Sequence, residues 1–230
     1  TNMKKGIKCP SAVRDSRQIR NLAKYTTKDT KLILGVRHPI KFFESFYNYR
    51  VKHLHAEHKS TSHIPRAEDL IGDQSHSWNK LYTEVARFEM FMKQLAKVDV
   101  SAEELKEMKK LGLKMVPNPY KIFLYNVDQL GDKNEERSAQ FRSDLQEYLG
   151  LKESIPPLPE HNVNHDTFPE YLDVCDDEHK EFRELMMSQG NETARWIRDE
   201  FMESLDVIVG GKDFFLELLE TWGSEICQTE

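Results

Sequence analysis

The segment LILGVRHPIKFFESFYNYR, residues 32–50, ends an apolar run in Arg37, sets Pro39 two residues on, and places Ser45 eight residues after the arginine. Pro39 suits the first turn of a helix, where its missing N–H costs nothing. A strand-to-helix junction of this kind offers free amide groups and the positive end of a helix dipole. Arg37 adds a guanidinium, Lys41 an ammonium and Ser45 a hydroxyl that leans back toward the helix start. The chemistry such a set performs is anion binding, because each donor can hydrogen-bond one phosphate group. The spacing is also compatible with an arginine that closes a sheet edge and a serine on a solvated helix face.

Two other sets of residues invite a chemical reading. His53, His55, His58, His63 and His76 put five of nine histidines within 24 residues. Pairs among them have metal-ligand character, yet neither a cysteine nor a carboxylate motif accompanies them. The sequence therefore predicts a solvated, partly cationic stretch and no metal site. Cys9, Cys175 and Cys227 are too few and too scattered for a disulfide or metal framework; a Cys175–Cys227 bridge and no bridge are both compatible with them. Asn191-Glu192-Thr193 has the glycosylation pattern but falls in a stretch that reads as helix, so it is taken as chance.

The elements that must position these residues follow from periodicity and punctuation. Residues 31–36 and 120–127 read as buried-type strands. Helices are predicted over 11–25, from 39 to about 58, over 78–96, from the capping-box pattern at 101–104 to about Gly112, over 134–149 with Gly150 as the stop, over 176–204 as one or two pieces, and over 212–222. Residues 59–75 and the Pro-rich 152–169 read as connections. Trp78, Phe88, Phe91 and Met92 have core spacing. Strands alternating with helices predict an α/β fold with a parallel sheet flanked by helices. Two strands are few for a chain of 230 residues, so the sheet is expected to be incomplete and the helix content high. The whole of 1–230 reads as one domain. A net charge of −6 argues against duplex nucleic acid as partner, and no apolar run is long enough for a membrane helix.

The pattern R-x-P-x6-S-x-Y, here Arg37, Pro39, Ser45 and Tyr47, resembles the 3′-phosphate-binding segment of sulfotransferases that use 3′-phosphoadenosine 5′-phosphosulfate (PAPS). GIKCPSAV, residues 6–13, resembles the EKxPSY segment of the carbohydrate (heparan-type) branch, with Lys8 and Pro10 on matching positions. KIFLYNVDQLGDKNEERSAQFRSDLQEYLGL is similar to that family's strand, acidic turn and FLGL helix, with Asp128 and Leu130 matching part of the turn. Asn162-Val163-Asn164 is a weaker match. The resemblance covers about residues 6–165 and implies a topology related to P-loop kinases. It implies that Arg37 and Ser45 bind the 3′-phosphate of PAPS and of its product PAP, and that Lys8 lies near the acceptor oxygen as the catalytic candidate. It implies that Lys52, His53 and His55, with Lys59 and Arg66, border a carbohydrate or similar acceptor whose hydroxyl or amine takes the sulfonate, and that a member of this branch works in the Golgi lumen.

The glycine-rich 5′-phosphosulfate loop of that family has no counterpart here, and Gly210-Gly211-Lys212 is at best an echo of its downstream cofactor loop. The chain therefore reads as the C-terminal part of a sulfotransferase domain, inactive alone and open to self-association through an unpaired strand edge. The alternative is a non-catalytic remnant that binds a nucleotide or a partner without transfer.

Overall fold

The computed structural model describes residues 30–57, 66, 121–157, 168–202 and 207–227. Strand β1 (Leu32–Val36) leads into helix α1 (Pro39–Ala56); β2 (Ile122–Asn126) runs into a 3-10 turn (Val127–Gly131) and helix α2 (Glu135–Leu149). Helix α3 (Lys180–Trp196) continues into a π-turn, and β3 (Val207–Val209) is followed by helix α4 (Lys212–Glu220) and a 3-10 turn (Thr221–Gly223). The strands lie in the order β1-β2-β3, all parallel. An α/β fold with a parallel sheet and flanking helices is thus present. The helices expected over 11–25, 78–96 and 101–112, the connection at 59–75 and the Asn162-Val163-Asn164 stretch lie outside the described residues.

Period-two alternation sorts the strands into two faces. Leu34, Val36, Leu124, Val207 and Val209 turn toward α3 and α4 and close over Ile197, Phe215, Leu219 and Trp222. Phe123, Tyr125 and Ile208 turn the other way, onto Phe141, Leu145 and Tyr148 of α2. The central strand is covered on both faces, and Ile122, Phe123 and Leu124 are wholly buried. β1 pairs with β2 alone among the described residues, and its alternation leaves Ile33 48% exposed on the α2 side. Beside it, Gly35 makes room for Tyr125: a Cβ there would lie 2.7 Å from the phenol ring. Tyr148 ties the amino end of the sheet to α2, its hydroxyl donating to the Leu32 or Lys121 carbonyl, while the Lys31 ammonium donates to the Tyr148 carbonyl.

The caps match the sequence. Asn134 accepts from the Arg137 amide to start α2, and Gly150, at φ 61°, ends it in the left-handed conformation that favours glycine. A third apolar cluster joins α1 to α3 and to the chain before it. Ile40, Phe43, Tyr47 and Val51, at helical spacing, pack on Leu172, Val174, Phe182 and Met186.

Residues 168–176 form a strap, with a turn at each end, that runs antiparallel along α1. Val174 N donates to Glu44 (3.2 Å), Leu172 N donates to Asn48 Oδ1 (2.8 Å), Asn48 Nδ2 donates to Leu172 O (2.9 Å), and His55 Nε2 lies 3.0 Å from Glu170. On the other side Arg183, nearly buried, donates to the carbonyls of Val174 (2.6 Å) and Asp176 (2.9 Å). The Cys175–Cys227 disulfide then joins the strap to the C-terminal segment.

Candidate functional site

In an open parallel sheet, ligands settle beyond the carboxyl ends of the strands. Here that edge is built by Arg37 and His38 after β1, by Asn126 and Asp128 at the end of β2, and by the start of α1. The register sets Val36 opposite Asn126, so the two strand ends are level. The first turn of α1 contains no acidic residue, Pro39 occupies its first position, and no side chain caps its amides. The Phe42 amide bonds the His38 carbonyl, which leaves the first-turn amides of Ile40 and Lys41 at the positive end of an 18-residue helix.

Several polar atoms at this edge are buried without a protein partner. Arg37 Nε, His38 Nδ1 and Asn126 Nδ2 are among them. His38 and Asn126 are 2% and 1% exposed, while Arg37 is half-buried. Unpaired buried polar groups are uncommon in folded proteins and cost about 1–3 kcal/mol each. The remaining polar side-chain atoms of His38 and Asn126 are committed. His38 Nε2 is 3.2 Å from the Thr221 carbonyl, and Asn126 Oδ1 accepts from the Asp128 amide at 3.0 Å. A carbonyl can only accept, so His38 carries its proton on Nε2 and a lone pair on Nδ1. Burial holds the His38 imidazole below its ordinary pKa; the bond to Thr221 and the charge of Asp128 oppose this, and Lys41 and Arg37 reinforce it.

Lys41 Nζ pairs with Asp128 at 3.0 Å, joining α1 to the end of β2. Glu44, one turn further along α1, has its pKa raised, chiefly by burial; the Val174 amide and the charges of Arg37 and Lys41 pull it down, and Asp173 pushes it up. The edge is therefore strongly polar and of mixed charge. Its cations sit closest to the helix start.

The sequence-predicted residues fall as follows. Arg37 stands at the strand end beside His38, within range to bias both His38 and Glu44. Ser45 is exposed on α1, about 200° round the helix from the buried Phe43, and among the described residues it does not hydrogen-bond Arg37. Lys52 lies further along α1 and is half-buried. His53 Nδ1 is 3.5 Å from Glu57, and its ring lies 6.1 Å from that of Tyr49. His55 is engaged by the strap: besides Glu170, its ring stacks on Phe168 at 4.1 Å with the planes 9° apart. Lys8 and Lys59 lie outside the described residues, as do His58, His63 and His76.

Gly210 and Gly211 end β3 and are held by the backbone. Gly210 N donates to the Leu124 carbonyl, Gln129 Nε2 donates to the Gly210 carbonyl (2.7 Å), and Gly211 N donates to Asp144 (2.7 Å).

Asn126 and Glu44 were not singled out by the sequence, although Asn126 followed three residues later by Gln129 is a capping-box pattern. Metal-ligating geometry occurs among the described residues at Asp176, Glu178 and His179, whose ligand atoms lie within 4.8 Å of one another. Both carboxylates stand in solvent, so the set is not a built site. Asn191 is exposed in the middle of α3, against Gly223. No helix among the described residues is long and apolar enough to cross a membrane. No family model, curated protein or solved structure matches this chain.

Proposed function

We propose that the edge formed by Arg37, His38 and the start of α1 binds the 3′-phosphate of an adenosine nucleotide, and that the protein is a sulfotransferase-like enzyme or part of one. In this reading PAPS donates a sulfonate to a hydroxyl or amine of a carbohydrate or similar acceptor. The observation that carries it is Arg37 at the carboxyl end of a parallel strand, with a buried unpaired Nε, one residue before an uncapped helix N-terminus. A phosphate there would accept from the guanidinium, from the amides of Ile40 and Lys41, and from Lys41 itself, the last in competition with Asp128. Ser45, one turn beyond Lys41, joins this set if its hydroxyl turns toward the helix start. The Cys175–Cys227 bridge supports a protein that works in an oxidising compartment, as a lumenal carbohydrate enzyme does.

Isothermal titration with adenosine 3′,5′-bisphosphate and with adenosine 5′-phosphate tests the reading. Arg37→Ala is expected to weaken the bisphosphate at least about tenfold, the value of a charged hydrogen bond, and to leave the 5′-phosphate unchanged. Equal losses for both ligands, or none for either, refute the assignment. The exposure of Ser45 and the Asp128 carboxylate on Lys41 favour a second reading: a remnant that binds a nucleotide weakly, or a partner, without transfer. Turnover of PAPS in the presence of a sugar acceptor separates the two.

A further inference from the structure

Asn191-Glu192-Thr193 is the one Asn-X-Ser/Thr triplet in the 230 residues, and the carboxyl edge of the sheet makes no use of it. The helix that discounts it in the sequence also shows where it stands. Glu184, Ser188, Asn191 and Arg195 are all exposed, and at 3.6 residues per turn they fall within about 60° of arc on α3. Phe182, Met186 and Ala194 lie on the other side and are buried. Asn191 is therefore on the solvent stripe of an amphipathic helix.

Its amide is uncommitted. Among the described residues the Asn191 side chain makes no hydrogen bond. A Cβ added at Gly223 would lie 2.8 Å from Asn191 Cβ, 2.9 Å from Cγ and 3.1 Å from Oδ1. Glycine at 223 thus spares the side chain from crowding, and Nδ2, the atom that a sugar joins, lies further from that point than these three. Asparagine is among the poorer residues for a helix interior, and here no side-chain bond offsets the choice. The Cys175–Cys227 bridge adds an independent observation. Disulfides persist where thiols are oxidised, and the lumen of the secretory pathway is such a place and is where these triplets receive oligosaccharide.

We propose that Asn191 is an N-glycosylation site, filled while the chain is still extended, and that its glycan stands on the solvent face of α3. The order follows from geometry. On a helix, residues two apart point about 200° away from each other, so in folded α3 the Thr193 hydroxyl does not meet the Asn191 amide. In an extended chain the two side chains share one face, as a transferase that reads both requires. The bond formed joins Nδ2 to the anomeric carbon of a sugar. The bond broken joins that carbon to a lipid diphosphate, which leaves, and the amide gives up one proton. The site needs neither Arg37 nor a nucleotide, and it stands apart from the phosphate reading.

The experiment is mass spectrometry of the full chain purified from the cells that make it, before and after peptide N-glycosidase in water enriched in heavy oxygen. The enzyme is expected to shift the chain down by one glycan and to leave residues 184–195 as a peptide with a heavy-oxygen aspartate at 191. Asn191→Gln and Thr193→Ala, expressed in the same cells, should each lose the shift, and Thr193→Ser, which keeps the hydroxyl, should retain it. Because transfer precedes folding, a variant that fails to fold still reports. A wild-type peptide that carries only unmodified Asn191 overturns the proposal, as does a shift that survives in Asn191→Gln or Thr193→Ala.

Discussion

Asn48→Ala removes the one side chain that holds both peptide groups of Leu172. The Leu172 amide donates to Asn48 Oδ1 at 2.8 Å and the Leu172 carbonyl accepts from Asn48 Nδ2 at 2.9 Å. Leu172 is 6% exposed, so water does not readily replace either bond. Two backbone groups left unpaired at about 1–3 kcal/mol each, discounted for their partial burial, give a loss of about 2–4 kcal/mol. For a chain of this length about 1 kcal/mol moves the melting midpoint by about 2–4 °C, so a fall of about 4–16 °C is expected. The assay is urea denaturation of the disulfide-intact protein followed by circular dichroism, with thermal melting alongside. Asn48→Asp is the sharper control. It keeps the acceptor for Leu172 N but turns a carboxylate oxygen toward Leu172 O, so at pH 7 it should cost at least as much as alanine. An alanine variant within about 0.5 kcal/mol of wild type, or an aspartate variant more stable than the alanine one, would mean that the strap is not held by this amide.

Burial raises the pKa of Glu44, so the folded state keeps its proton where the unfolded state has lost it. The contribution of Glu44 to stability is therefore largest at low pH and falls as pH rises through the window above the ordinary carboxylate value; Glu44→Gln should remove that slope from a stability–pH series, and an unchanged slope would refute it. The Cys175–Cys227 bridge closes a separation of 52 residues, which the chain-entropy relation values at about 4 kcal/mol; the double serine variant should lose stability of that order and gain hydrogen exchange across 168–176, and unchanged exchange there would show that the bonds from α1 and Arg183 fix the strap without the disulfide. Gly35→Ala drives a methyl group into the Tyr125 ring and should cost about 1–3 kcal/mol, the usual range for overpacking. Tyr125→Leu should recover part of that loss, and equal damage in both backgrounds would locate the strain elsewhere.

What the sequence made legible is what depends on neighbours along the chain. The 31–36 run became β1, 120–127 became β2, and Pro39, Asn134 and Gly150 set helix ends within a residue or two, because caps and apolar periodicity are local signals. β3 went unread: three residues, Val207–Val209, are too short for alternation to show, and they become a strand only by pairing with Ile122–Leu124. The 176–204 helix expectation was broadly right in position, but its regular α portion is Lys180–Trp196, preceded by a 3-10 turn and followed by a π-turn. The strap was unreadable for a related reason. Its hydrogen bonds join Glu44 and Asn48 to residues more than a hundred positions away, and nothing in the local sequence marks either partner. His55 illustrates the limit for the site: the resemblance implies that it borders an acceptor, and nothing in the histidine-rich stretch marks that its ring lies on Phe168 and its nitrogen on Glu170.

The helices that follow β1 and β3 at the carboxyl edge of the sheet, α1 and α4, are electrostatically unequal. At the start of α4, the Gly211 amide already donates to Asp144, and Asp213 sits in the first turn. That end carries its own counter-charge, supplied from α2 and from within. At the start of α1 there is no first-turn acid and no side-chain cap, and the residues before and inside the turn are Arg37 and Lys41. A mobile anion near this edge meets one helix end whose first amide is already bonded to a carboxylate and one whose first-turn amides are not. Asp144 thus acts as a signpost: by quenching the dipole it touches, it leaves, of these two helix ends, the start of α1 as the one open to negative charge, beside Arg37 and Lys41.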